Sequence, residues 1–139
     1  MKAPGKPVGL TKDGSWQFGL RKTFPFPQQF VWDFMFSDQG LRIWLGELED
    51  ELEFGKTFQT TEGVEGLVRV LEPYAHIRMK WKKQHWENSS TVQVRIMGNE
   101  QRATISFLQE KLADHAQREE MKRYWNQKMT QIENGLAAT

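Results

Sequence analysis

The sequence predicts an α+β domain: a curved antiparallel sheet of about six strands wrapped around a long C-terminal helix, with two short helices after strand 1. Three observations predict it. Runs of alternating apolar residues follow one another with only short turn signals between them, as antiparallel neighbours require. The final segment carries an apolar stripe at steps of three and four. Between the first strand-like run and the rest, two brief stretches show helical spacing.

The elements follow in order. Trp16, Phe18 and Leu20 alternate with Gln17, Gly19 and Arg21, a half-buried strand that Pro25 and Pro27 end. Pro27 suits a first helical turn, where its missing N–H is not needed, and Phe30, Val31, Phe34 and Met35 then recur at helical spacing. Ser37 or Asp38 caps a second short helix carrying Leu41, Trp44 and Leu45. The acids Glu47, Glu49, Asp50, Glu51 and Glu53 read as a solvated connection or the start of a strand. Strands are predicted over 54–61, 64–72, 75–83, 91–97 and 102–112, punctuated by Glu62-Gly63, Pro73, Asn88-Ser89-Ser90 and Gly98-Asn99. Asp114 and Gln117 are spaced as a capping box for the last helix, whose stripe is Met121, Trp125, Met129, Ile132 and Leu136. Some 20 residues at ~1.5 Å each make a rod of about 30 Å, long enough to cross a small sheet. Gly135 sits where such a helix would stop.

Length and composition bound the function. The chain has 139 residues, which fits one domain over 14–139 after a flexible N-terminal tail at 1–13. Nineteen Lys and Arg against 18 Asp and Glu leave a net charge of +1, so electrostatics make no case for nucleic acid. No cysteine is present, which removes disulfides, thiolate metal sites and thiol catalysis together. The first residues hold lysines but no apolar core of a secretory signal, and no run approaches the ~20 apolar residues of a membrane span. The expectation is a cytoplasmic protein with no membrane insertion.

Several stretches resemble a known family. They are Arg21-Lys22-Thr23-Phe24-Pro25 leading to Val31-Trp32-Asp33, then Gly40-Leu41-Arg42-Ile43-Trp44-Leu45-Gly46 and Phe54-Gly55-Lys56-Thr57-Phe58. Val68-Arg69-Val70-Leu71-Glu72-Pro73 and Tyr124-Trp125-Asn126 complete the set. In this order the chain resembles the START-like, or SRPBCC, superfamily, and within it the bacterial relatives of the chaperone ATPase activator homology domain. The resemblance covers residues 14–137. It implies the helix-grip fold and a cavity between sheet and long helix that often holds small apolar molecules. It brings no universal catalytic residue set.

Aromatics are 12% of the chain, with six Trp and nine Phe. Side-chain parity turns Trp16, Phe18, Met79, Trp81, Ile105, Phe107 and Gln109 toward the helix, which offers Met121, Trp125 and Met129; Phe34 and Trp44 come from the short helices. Aromatics with Met make an adaptable apolar lining. These twelve residues are the candidate ligand-binding set, and the same stripes also describe a filled core. The first reading is therefore a domain binding a small hydrophobic or amphipathic molecule. The alternative is a stress-related protein-interaction module akin to chaperone co-regulators, docking a protein partner or forming a homodimer through outer charges. Arg78, Lys80, Lys82, Lys83 and Arg95 supply a basic stripe for that, the acidic run at 47–53 is its natural complement, and Leu67 and Leu71 share a face with Arg69.

Enzymatic action on an apolar substrate is a third reading, with Glu110 and His76 the only ionisable groups to nominate. His76, His85 and His115 lack metal-ligand spacing, so no metal is assigned. Gly55-Lys56-Thr57 is no phosphate loop, because position 50 is Asp and a strand, not a helix, follows. No cofactor is called for.

Overall fold

The computed structural model describes residues 7–139. The chain runs β1 (Trp16–Phe24), α1 (Gln28–Met35), α2 (Asp38–Trp44), β2 (Thr57–Gln59), β3 (Val64–Glu72), β4 (His76–Lys83), β5 (Ser90–Gly98), β6 (Ala103–Leu112) and α3 (His115–Ala138). One antiparallel sheet holds all six strands in the order β1-β6-β5-β4-β3-β2. Strands β2 to β6 form a meander, and β1 closes on the far edge beside β6. The two short helices carry the chain from one edge of the sheet to the other. At ~1.5 Å per residue the 24-residue α3 is about 36 Å long. It lies in the grip of the sheet with Met121, Trp125, Met129, Ile132 and Leu136 buried, which is the stripe the spacing predicts.

The caps are those the sequence announces. Ser37 Oγ accepts from the Gly40 N–H at 3.1 Å, so Ser37, not Asp38, opens α2. Asp114 Oδ1 accepts from the Gln117 N–H at 2.7 Å, and Gln117 Oε1 reaches back to the Ala113 N–H at 2.8 Å.

Two bulges decide which side chains face α3. On β6, Lys111 takes φ 63°, and β1 residues Trp16 and Phe18 pair with Leu112 and Gln109. The extra residue follows Gln109, so the inward parity of Ile105, Phe107 and Gln109 stands, and Leu112 returns to the buried side. On β3 the register shifts between Val68 and Val70. Val68 pairs with Met79 and Leu71 with Ile77, both inward partners, so Leu71 packs against the core. The expectation that Leu67 and Leu71 share an outer face is thereby corrected.

Three further expectations change. The strand predicted over 54–61 shrinks to Thr57–Gln59, because Gly55 turns at φ 79° and donates its N–H to the Val68 carbonyl. Phe54 is left 67% exposed beside that turn. Gly135 does not stop α3; it is a buried contact point, where a Cβ would stand 2.5 Å from Cζ of Phe34. Of the N-terminal tail, residues 1–6 lie outside the described residues. Residues 7–13 fold back on β1, with Leu10 bridged to Trp16 and the Gly9 carbonyl accepting from the Gln17 N–H at 2.7 Å.

Candidate functional site between sheet and long helix

The interior is built in rows across the sheet. Phe18, Gln109, Val92, Met79 and Val68 form one row through successive registers. Leu20, Phe107, Val94, Ile77 and Leu71 form the next. Trp81 stands between Gly66 on β3 and Ser90 on β5, and these small neighbours make room for its indole. Eleven of the twelve candidate lining residues are buried in this interior, and Trp16 is only half-buried. Trp16 sits at the bulged end of β1 with its ring 5.2 Å from that of His115, at the start of α3. Phe107 stacks on Trp125 with centroids 4.6 Å apart, Trp44 stands 6.4 Å from Phe107, and Trp81 lies 6.0 Å from Trp125. Phe34 packs beneath Gly135, and Trp44 Nε1 donates to the Met35 carbonyl at 2.7 Å.

One polar chain runs through this apolar space. Trp125 Nε1 donates to Gln109 Oε1 at 2.8 Å, Gln109 Nε2 donates to Ser90 Oγ at 2.9 Å, and Ser90 Oγ donates to the Trp81 carbonyl at 2.5 Å. Each buried group in that chain is satisfied. The exception beside it is Trp81 Nε1, which is buried and has no acceptor among the described residues. Such a donor costs about 1–3 kcal/mol relative to one that is paired.

The interior meets the surface at a cleft of about 540 Å³. Leu45 and Gly46 after α2, Glu62 and Val64 at the β2–β3 turn, Lys83, Gln84 and His85 at the end of β4, and Tyr124 and Lys128 on α3 form its walls. Tyr124 separates the cleft from the aromatic interior, with its ring 5.7 Å from Trp81 and 4.9 Å from Trp125. Lys83 and Lys128 each place Nζ 5.0 Å from that ring. Burial, assisted by the nearby Glu62 carboxylate, pushes the Tyr124 phenol up to about 12.

The raised value makes a stability prediction. Folding favours the neutral phenol, so this contribution is complete below pH 10 and is lost as pH rises toward 12. A shift of this size is worth about 2–3 kcal/mol. Urea unfolding of wild type is expected to lose that amount between pH 9 and 12 beyond what Tyr124→Phe loses; parallel curves for the two proteins would refute the assignment.

Tyr124 and Lys128 are absent from the sequence-derived set, although a signal existed. Positions 121, 124, 125, 128 and 129 follow the wider i, i+3, i+4 stripe of a globular helix, of which the sequence reading took only one edge. The turn signal Asn88-Ser89-Ser90 ends one residue early: Ser90 continues the parity of Val92, Val94 and Ile96 and begins β5.

The remaining candidates lie elsewhere. Glu110 pairs with Thr91 and points away from α3, on the side opposite Gln109. His76 opens β4 opposite Glu72 and Arg95, at the end of the strand remote from the cleft, with Nδ1 buried and unpartnered among the described residues. Arg78, Lys80 and Lys82 lie on the outer face of the sheet. A groove there of about 570 Å³ is lined by Lys80 and Lys82 together with Glu49, Asp50 and Glu51, so the acidic run faces the basic stripe of its own chain. No wall of that groove comes from α3. Among the described residues no three His, Asp or Glu side chains cluster as a metal site, and no helix is long and apolar enough to cross a membrane.

Solved structures share this architecture. DynU16, a protein of the dynemicin biosynthetic locus, matches over 87% of this chain with a TM-score of 0.77 and 15% identity. The matched part is 47% of DynU16, so the chain spans about half its length. PFC0360w, an HSP90 activator from Plasmodium falciparum, matches over 80% of this chain and 88% of its own, with a TM-score of 0.68 and 19% identity. The Aha1 dimer from Colwellia psychrerythraea matches over 86% and 95% respectively, with a TM-score of 0.71 and 12% identity. At these identities the likeness establishes the fold, a START-like helix grip. No curated protein matches the chain in sequence. The model of one family, activator of Hsp90 ATPase homolog 1-like protein, runs from Pro25, just before α1, to the last turn of α3 at residues 25–137. With so much of the fold inside that match, the chain belongs to this family.

Proposed function

We propose that the domain holds a small hydrophobic or amphipathic molecule between the sheet and α3, entering at the Tyr124 cleft. The observation that carries this reading is the orphaned indole N–H of Trp81, buried beside an otherwise fully satisfied polar chain and directly behind Tyr124. A ligand oxygen that accepts from it regains the hydrogen bond the folded chain forgoes. Displacement of the Tyr124 ring, which lies at the surface end of the aromatic cluster, opens the way to the Trp81 and Trp125 indoles it packs against. Membership of a helix-grip family, in which small apolar molecules often lie between sheet and long helix, supports the reading.

Native mass spectrometry of gently purified protein tests it, followed by addition of 2-naphthoate and 2-naphthalenemethanol. The expected result is a stoichiometric co-purifying molecule or a 1:1 adduct with an added probe. A bare mass in every spectrum overturns the reading. It would favour instead a protein-docking module, for which Arg69, Arg78, Lys80 and Lys111 around an outer-face depression are the specific observation.

A further inference from the structure

The cleft carries a charge pattern that goes beyond a generic apolar ligand. Lys83 and Lys128 approach the Tyr124 ring equally closely, at 5.0 Å, but they differ in their partners. Lys83 Nζ is bound to Glu120 Oε2 at 2.5 Å. Lys128 makes no ion pair among the described residues. It is nevertheless drawn against the apolar wall formed by Tyr124, Leu45 and Val64. From these positions we infer that the site takes a singly headed anionic amphiphile, whose carboxylate or equivalent anion docks on Lys128 at the rim while its apolar body passes Tyr124 toward Trp81. This rests on the ligand-binding reading above and names its ligand class.

The physical case has three parts. First, an ammonium held half-buried with no carboxylate in ion-pair contact is disfavoured; burial lowers the affinity of Lys128 for its proton, with the more distant Glu62 partly opposing this and Lys83 adding to it. An incoming anion removes that penalty, and a neutral head group does not. Second, Lys83 is already neutralised by Glu120, so the ligand's charge falls to Lys128 and not to a symmetrical clamp. Third, Glu62 lies on the same cleft and opposes a second negative charge there, which limits the ligand to a single anionic head. A cleft of about 540 Å³ accommodates a bicyclic aromatic acid or a ten-carbon chain.

The test is isothermal titration calorimetry at pH 7 with matched pairs: 2-naphthoate against 2-naphthalenemethanol, and decanoate against decanol. Wild type is expected to bind each acid at least about tenfold more tightly than its alcohol. Lys128→Gln is expected to bring that ratio close to one while leaving the alcohol's affinity in place, and Lys128→Arg to preserve the preference. Lys83→Gln is expected to change the ratio less than Lys128→Gln. Equal affinity for acid and alcohol overturns the inference and leaves the ligand-binding reading standing. Binding of no probe overturns both. An acid preference that survives Lys128→Gln overturns the assignment of the head group to Lys128.

Discussion

Trp125→Ala is expected to remove most of the stability of this domain. The side chain is fully buried, stacks on Phe107 at 4.6 Å and touches both Trp81 and Tyr124. Truncating a buried Trp costs about 3–5 kcal/mol. The change also strips buried Gln109 Oε1 of its only donor among the described residues, which adds about 1–3 kcal/mol. Set against the ~5–15 kcal/mol of a whole domain, the sum leaves little or no folded protein. Chemical denaturation checks it, and a loss below about 2 kcal/mol would show that the interior is loosely filled. A second pair of variants separates the two terms. Trp125→Phe keeps a ring and breaks the hydrogen bond, while Trp125→Phe with Gln109→Leu replaces both partners by apolar groups. The double variant is expected to be more stable than the single one, because the amide oxygen of Gln109 is gone and Ser90 Oγ, though it loses Gln109 Nε2, keeps its bond to the Trp81 carbonyl. For the same reason Trp125 is a poor residue on which to test binding, and Trp81→Phe is a better one, since it removes a donor that has no partner to lose.

Gly40→Ala is the second large effect, and propensity alone predicts the wrong sign. Alanine in a helix is favoured over glycine by about 1 kcal/mol. Here, however, a Cβ would land on the carbonyl oxygen of Phe34 and crowd the backbone of Met35. These are backbone atoms of α1, which cannot turn aside as a side chain does. The glycine is what lets α2 start against the end of α1, with Ser37 bridging the corner by accepting from the Gly40 N–H and donating to the Phe34 carbonyl at 2.6 Å. Overpacking costs about 1–3 kcal/mol and more where the backbone must move, so the steric term wins. The expected loss is at least about 2 kcal/mol net, measured by urea unfolding; a neutral or stabilised Gly40→Ala would mean that the α1–α2 corner is free to shift.

Much of this fold was legible because its signals are local. The periods of β1, β4, β5 and β6, the Ser37 and Asp114 caps, and the stripe of α3 each follow from residues a few positions apart. What was not legible depends on pairing. The bulge at Val68–Val70 turns Leu71 inward, and no local feature of Val68-Arg69-Val70-Leu71 announces it. Gly135 resembles a helix stop until Phe34, a hundred residues away in sequence, is found beneath it. The same division holds for the site. The twelve candidate residues follow from strand parity and helical spacing, and eleven of them are buried in one interior. The cleft residues Tyr124 and Lys128 lie at the margin of the helical stripe, where the i, i+3, i+4 spacing marks them as near the core without showing that they line a cleft. The unpaired indole N–H of Trp81 is a statement about every neighbour at once and has no sequence signature.

A ligand that reaches Trp81 between sheet and helix supplies its indole N–H with an acceptor. The most direct measurement is the indole region of the ¹H–¹⁵N spectrum during titration with 2-naphthoate, with Trp81 assigned by Trp81→Phe. The Trp81 indole resonance is expected to move downfield as it gains an acceptor, while that of Trp44, already bonded to the Met35 carbonyl, stays in place. Saturation by the probe with Trp81 unmoved would contradict this placement of the ligand.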